Sequence, residues 1–253
     1  VNAAPDATDS PRTAQLTTER GVPTGYLSRT RSFTRRGGRM PPRHQDAYDA
    51  LSGQYVIDVP RDGGSTTVDA AYSLDVAEVF GREAPLIVEV GAGSGDALLA
   101  GARALPGTDF LALEVWRPGI GQCLHRLLEE PLPNLRFIEV DAAVALSTML
   151  GEGSVAELWT YFPDPWPKRR QQHRRLVGPE FTDTVCRVLQ QGGLWRLATD
   201  IDGYAAHMRQ VLDAEPRLEL VSTERAPLRP VTRFERKGTA VGREITDLAY
   251  RRR

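Results

Sequence analysis

Short continuous apolar runs recur along this chain, and an amphipathic stretch follows most of them. "APLIVEV" (84–90) is such a run, as expected of a strand covered on both faces. "DFLALEV" (109–115), "NLRFIEVD" (134–141), "AELWTYF" (156–162) and "GLWRLATD" (193–200) repeat the pattern. Between them "ALLAGARAL" (97–105), "GQCLHRLLEE" (121–130), "AAVALSTML" (142–150) and "EFTDTVCRVLQQ" (180–191) read as helices, the last ended by Gly192-Gly193. "GYAAHMRQVLDA" (203–214) is a further helix. "RLELVST" (217–223) and "EITDLAY" (244–250) complete a set of seven strands. Strand and helix alternate from 84 to 214, which predicts an α/β fold. Its sheet should be doubly wound, mostly parallel and seven-stranded, with helices on both faces.

In such sheets the ligand sits beyond the carboxyl ends of the strands, where the strand order reverses. Five successive strands end at or next to an acid: Glu89, Glu114, Asp141, Asp164 and Asp200. One acid at such a junction is often a helix cap. Five in register point to a ligand.

Composition refines this picture. The chain has 253 residues, 41% of them hydrophobic, enough for a real core. Residues 1–45 hold eight arginines against three acids and few large apolar residues, so they read as a flexible Arg-rich arm before a domain spanning 46–253. Residues 165–175 carry Lys168, Arg169, Arg170, Arg174 and Arg175 with no acid, and the chain ends in three arginines. With a net charge of only −1, basic segments of this kind fit a polyanion met on one face. Cys123 and Cys186 match no metal spacing and read as reduced thilols of a cytoplasmic protein; no metal is expected. No apolar run is long enough to span a membrane.

"EVGAGSGD" places Gly91, Gly93 and Gly95 between the first strand and its helix. The dinucleotide fingerprint requires glycine at position 96, where this chain has Asp96. A carboxylate at the helix start repels a pyrophosphate. The loop therefore suits a nucleoside ligand without phosphates. Glu114, 25 positions after Glu89, is placed to accept both ribose hydroxyls, and Asp141 to accept from the adenine amino group. A cation with a ribose, no phosphate and carboxylates around it is S-adenosyl-L-methionine. The order of these residues resembles the class I methyltransferases over roughly 80–215.

"RSFTRRGGRM" (31–40), "FPDPWPKRR" (162–170), "LATD" (197–200) and "RPVTRFERKG" (229–238) together resemble the bacterial tRNA (guanine-N7)-methyltransferases. The resemblance implies methylation of guanine N7 at position 46, in the tRNA variable loop. It also implies that Glu89, Gly91, Gly93, Gly95, Glu114, Asp141 and Asp164 surround the cofactor, with Asp164 as the catalytic or guanine-contacting residue. Lys168, Asp200, Thr232, Arg233, Phe234 and Glu235 are implied to bind the substrate. Arg31, Arg35, Arg36, Arg169, Arg170, Arg174 and Arg175 are expected to contact RNA. The oligomeric state is left open.

The chemistry agrees. N7 carries a free lone pair, so no general base is required, and catalysis should be mostly positioning. An Arg or Lys fork on O6 and N7 would block the nucleophile, so the base must be held by its N1–H and N2–H donors. Asp164, Asp200 and Glu235 are the candidate acceptors, Asp164 first. Trp166 and Phe234 could stack on the base or simply pack. Two other readings remain: an NAD-dependent oxidoreductase, disfavoured by Asp96, and a non-catalytic RNA-binding protein.

Overall fold

The computed structural model describes Phe33 and residues 38–253, apart from the side chains of Arg233 and Phe234. Arg31, Arg35 and Arg36 lie outside the described residues. Helix α1 (Pro42–Tyr55) begins within the segment expected to be an arm and is followed by the short α2 (Val76–Phe80). The alternating region then runs β1 (Leu86–Val90), α3 (Asp96–Ala104), β2 (Asp109–Glu114), α4 (Arg117–Leu127), β3 (Leu135–Glu139), α5 (Ala142–Thr148) and β4 (Val155–Tyr161). A 3-10 turn over Arg169–Arg174 leads to α6 (Pro179–Val188), β5 (Leu189–Thr199), α7 (Asp202–Asp213), β6 (Leu218–Ser222), α8 (Arg233–Ala240) and β7 (Thr246–Arg252).

The seven strands form one sheet in the order β3-β2-β1-β4-β5-β7-β6. β1 to β5 are parallel, and β7 enters antiparallel between β5 and β6. Alternate residues of the buried strands feed two cores. Val88, Leu111, Leu158 and Trp195 pack with α5, α6 and α7 on one face. Ile87, Phe110, Trp159 and Ala198 pack with α1, α3 and α4 on the other. The order reverses at β1, whose neighbours are β2 and β4, and that is where a ligand crevice opens.

One boundary differs from expectation. The helix read as ending at Gly192-Gly193 stops at Val188, and β5 already begins at Leu189. The two glycines belong to a bulge: Leu189 pairs with Val155, yet the next registered pair is Leu194 with Glu157. A Cβ on Gly193 would stand 2.9 Å from the Ala156 carbonyl oxygen, so the bulged strand can approach β4 only with glycine there.

Candidate functional site

A cavity of about 250 Å³ opens at the carboxyl ends of β1, β2 and β4. Gly91 and Gly93 line it and Gly95 follows at the start of α3, with φ of +75°, +56° and +71°, conformations that only glycine adopts without strain. The carboxylate of Glu114 organises this loop. Oε2 accepts from the Gly93 N–H at 2.6 Å and Oε1 from the Trp116 N–H at 2.8 Å. A carboxylate offers about four acceptor sites in all.

Glu89 lies within β1, and its Oε2 is buried with no partner among the described residues. Burial, then the nearby charges of Glu114 and Asp96, push its carboxyl up to about 8. The Tyr161 hydroxyl across the cavity is likewise buried without a partner, and burial raises its pKa well above the usual value. Asp96, at the start of α3, pairs with Arg126 at 2.9 Å and sets a carboxylate where a pyrophosphate would need to sit. Among the described residues, five acids line the wall (Glu89, Asp96, Glu114, Asp141 and Asp164) against one cation, Arg229. This donor set, with a buried carboxyl oxygen of Glu89 left without a partner, fits a cationic nucleoside carrying free hydroxyls and opposes a dinucleotide.

The five acids expected in register divide differently. Glu89 is inside its strand, Glu114 ends β2, Asp141 caps α5 by accepting from the Ala143 N–H at 3.0 Å, and Asp164 stands three residues past β4. These four line the cavity. Asp200, just past β5, does not. It is buried, and its Oδ2 accepts from Arg243 at 2.7 Å.

Asp164 is presented by a constrained turn. Phe162 and Trp166 on either side of it adopt left-handed φ of +52° and +43°, each costing on the order of 1–3 kcal/mol. Pro163, Pro165 and Pro167 remove three donors and fix three φ angles in between and beyond. The expected role of Arg175 is corrected here. It is buried, donates to the Pro165 carbonyl at 3.0 Å and to the Gly203 carbonyl at 3.2 Å, and lies over Tyr204, so it braces the turn from inside and offers no surface to RNA. Arg174 is half-buried with its guanidinium 3.6 Å over the Trp166 ring, which occupies one face of the aromatic expected to stack. Lys168, Arg169 and Arg170 follow that turn and are exposed.

Thr232 lines the cavity and caps α8, accepting from the Glu235 N–H at 3.1 Å. Glu235 does not reach the wall; its carboxylate is held by Arg225 and Arg229. The side chains of Arg233 and Phe234 lie outside the described residues. Trp116, Tyr161 and Arg229 are cavity residues that the sequence reading passed over. Arg229 opens the "RPVTRFE" stretch, a signal already in view; Tyr161 needed only the two-residue alternation of β4 carried one step further from Trp159.

A reversing parallel sheet with an acid-lined, glycine-floored cavity at its switch point defines a methyltransferase of the open α/β type. A family model described as "Putative methyltransferase" matches residues 83–248. The tRNA (guanine-N(7)-)-methyltransferase of Cutibacterium acnes is 47% identical over 227 residues, covering 87% of this chain and 82% of that protein. Those of Nocardioides sp. and Saccharophagus degradans are 46% and 39% identical over 88% of this chain and 87% and 95% of their own lengths. Among solved structures, the 16S rRNA methyltransferase KamB superposes with a TM-score of 0.51 at 16% identity, over 86% of this chain and 96% of that one, a likeness of fold. The chain belongs to the tRNA (guanine-N(7)-)-methyltransferase family. No group of three or more His, Cys, Asp or Glu among the described residues could hold a metal ion, and none of the described helices is long and apolar enough to cross a membrane.

Proposed function

We propose that this protein transfers the methyl group of S-adenosyl-L-methionine to N7 of a tRNA guanine, at position 46 of the variable loop, in the cytoplasm. The observation that carries the cofactor assignment is the buried Glu89 carboxyl, its Oε2 without a partner, in a cavity lined by five acids and one cation among the described residues. The identity of the relatives supports the acceptor. When bound, the cofactor supplies a sulfonium methyl for in-line displacement. The chain's part is to hold and orient. Glu89 faces the cationic end, Glu114 the ribose and Asp141 the adenine amino group. Asp164 accepts from the N1–H and N2–H edge of guanine, which leaves the N7 lone pair to attack without a base. Lys168, Arg169 and Arg170 take the phosphates flanking a base turned out of its stack.

The ion-paired Asp96 at the start of α3 weighs against a nicotinamide dinucleotide, and the intact acids of the cavity against a purely RNA-binding role. The deciding experiment incubates unmodified tRNA with methyl-labelled cofactor and digests the product to nucleosides. Label in 7-methylguanosine is expected, lost when the position-46 guanosine is replaced. Label in another nucleoside, or none, overturns the reading.

A further inference from the structure

Glu235 ends the "TRFE" segment, for which the family resemblance implies contact with the acceptor base. Its surroundings give it another task. It is 2% exposed and stands outside the cavity wall, although Thr232 and Arg229 both line it. Its Oε1 accepts from Arg225 and its Oε2 from Arg229 Nη1 at 2.6 Å. To accept from a guanine it would have to leave both arginines and the interior. Leaving them would take from the fully buried Arg229 guanidinium one of its two carboxylate partners, a costly loss in the interior.

Arg229 is the centre of this lattice. Its side chain is fully buried, and it grips Asp247 of β7 with two bonds, Nε to Oδ1 at 2.9 Å and Nη2 to Oδ2 at 2.6 Å. Its guanidinium carbon lies 5.4 Å from the Phe162 ring centre and 5.9 Å from that of Tyr161. Arg225 donates to the Arg229 carbonyl at 3.0 Å, which folds the loop back on itself. A two-pronged guanidinium–carboxylate pair fixes direction as well as distance. Three elements therefore meet at one side chain: β7 through Asp247, α8 through Glu235, and the end of β4 through Phe162. Phe162 is the left-handed residue two positions before Asp164.

We infer that Glu235 is a positioning residue that works through Arg229, and that Arg229 fixes the start of α8 and the Asp164 turn relative to each other beside the methyl donor. This rests on the guanine reading above. The test is single-turnover methylation of tRNAs carrying guanosine or inosine at the target, at saturating cofactor. The enzymes compared are wild type, Glu235→Gln, Arg229→Lys and the double variant. Inosine lacks the 2-amino donor, so a residue that grips this edge sets the ratio of the two rates. Each single substitution is expected to slow both substrates alike by about tenfold or more, the scale of loss from a misplaced reactant. The guanosine-to-inosine ratio should stay at its wild-type value, the double variant should be no slower than the worse single, and Glu235→Gln should leave cofactor affinity unchanged. A ratio narrowed by Glu235→Gln, or losses that multiply in the double variant, would overturn the inference. Asp247→Asn disturbs Arg229 from β7, outside the cavity lining, and should give the same ratio-preserving loss; an unaffected rate also overturns it. Hydrogen–deuterium exchange tests the lattice without activity: Arg229→Lys must speed exchange both in 162–168 and in α8, and unchanged exchange refutes the link. A wild type that methylates no tRNA guanosine refutes the functional reading instead, leaving the exchange result to decide the lattice.

Discussion

Glu89 shows how one side chain can tie stability to ligand binding. Its carboxyl is pushed up to about 8, from an ordinary value near 4.5, first by burial and then by Glu114 and Asp96. Between those two values the folded protein holds a proton that the unfolded chain has released. Stability therefore falls as pH rises through this window, by roughly 1.4 kcal/mol per pH unit, and levels off above pH 8. Glu89→Gln should remove that decline and make the ligand-free protein more stable than wild type at pH 8, as thermal melts from pH 5 to 9 would show. A cationic ligand favours the ionised carboxylate, so binding at pH 7 should release close to one proton from wild type. Calorimetry in buffers of different ionisation enthalpy measures this directly, and no release would remove Glu89 from the cation. Asp164 carries the second prediction at this scale. With Asp164 on the guanine edge as proposed, Asp164→Asn turns an acceptor into a donor facing guanine's donors, and loss of a bidentate base contact costs about 1–3 kcal/mol. The methylation rate should fall about tenfold to a hundredfold with cofactor affinity unchanged, and the gap between guanosine and inosine tRNAs should narrow. The types and spacing of Glu89, Glu114 and Asp164 were legible in the sequence. What hid Arg175 and Glu235 is that a charged residue in a motif reads the same whether it faces a ligand or another charge. Only the fold brings Pro165 to one and Arg229 to the other.

At the scale of elements, the alternation of strands and helices was plain because both faces of the sheet are covered and every inner strand is apolar. The bulge in β5 was not, because a glycine pair after a helix spells a cap and a bulge with the same letters. Helix α1 was missed as well: it starts from Pro41-Pro42, buries only Ala47 and Tyr55 along its length, and so carries little periodic signal. The packing of α4 under the glycine loop is a further relation between elements. A Cβ on Gly119 would stand 2.3 Å from the Gly93 carbonyl oxygen and 2.7 Å from the Trp116 ring, so α4 can seat there only with glycine at that point. Gly119→Ala must push back the carbonyl of Gly93, the residue whose own N–H is anchored on Glu114. Overpacking of this kind costs about 1–3 kcal/mol. We expect a lower melting temperature together with cofactor affinity weakened about tenfold, since Gly93 itself lines the cavity. Calorimetric titration of Gly119→Ala checks this, and normal affinity would show that the loop adjusts independently of α4.

Across the whole molecule, the sheet sorts basic segments that look alike in the sequence. β7 runs antiparallel to β5, with Thr246 beside Thr199 at the ligand end and Arg251 beside Leu194 towards the other. The terminal arginines therefore lie away from the cavity mouth and are engaged: Arg251 and Arg253 with Glu219, Arg252 with the Leu189 carbonyl and Glu152. Lys168, Arg169 and Arg170 stand exposed beside the Asp164 turn, and α8 adds exposed Arg236 and Lys237 next to Thr232. Counting charge along the chain gave the terminal arginines the same weight as Lys168–Arg170 and overlooked α8, because position along the sheet axis is invisible until strand order is known. If tRNA lies across the cavity mouth, each lost phosphate contact flattens the slope of log affinity against log salt by roughly 0.7–0.9. Replacing Lys168, Arg169 and Arg170 with glutamine should flatten it by about two to three, and replacing Arg236 and Lys237 by about one to two. Replacing Arg251, Arg252 and Arg253 should leave the slope at its wild-type value and lower the melting temperature, since that edge loses its ion pairs and the Leu189 carbonyl its donor. Filter binding of tRNA between low and physiological salt, with melting curves of the same three proteins, separates the two ends. A flattened slope in the C-terminal variant would place RNA along β7 and overturn this placement of the substrate.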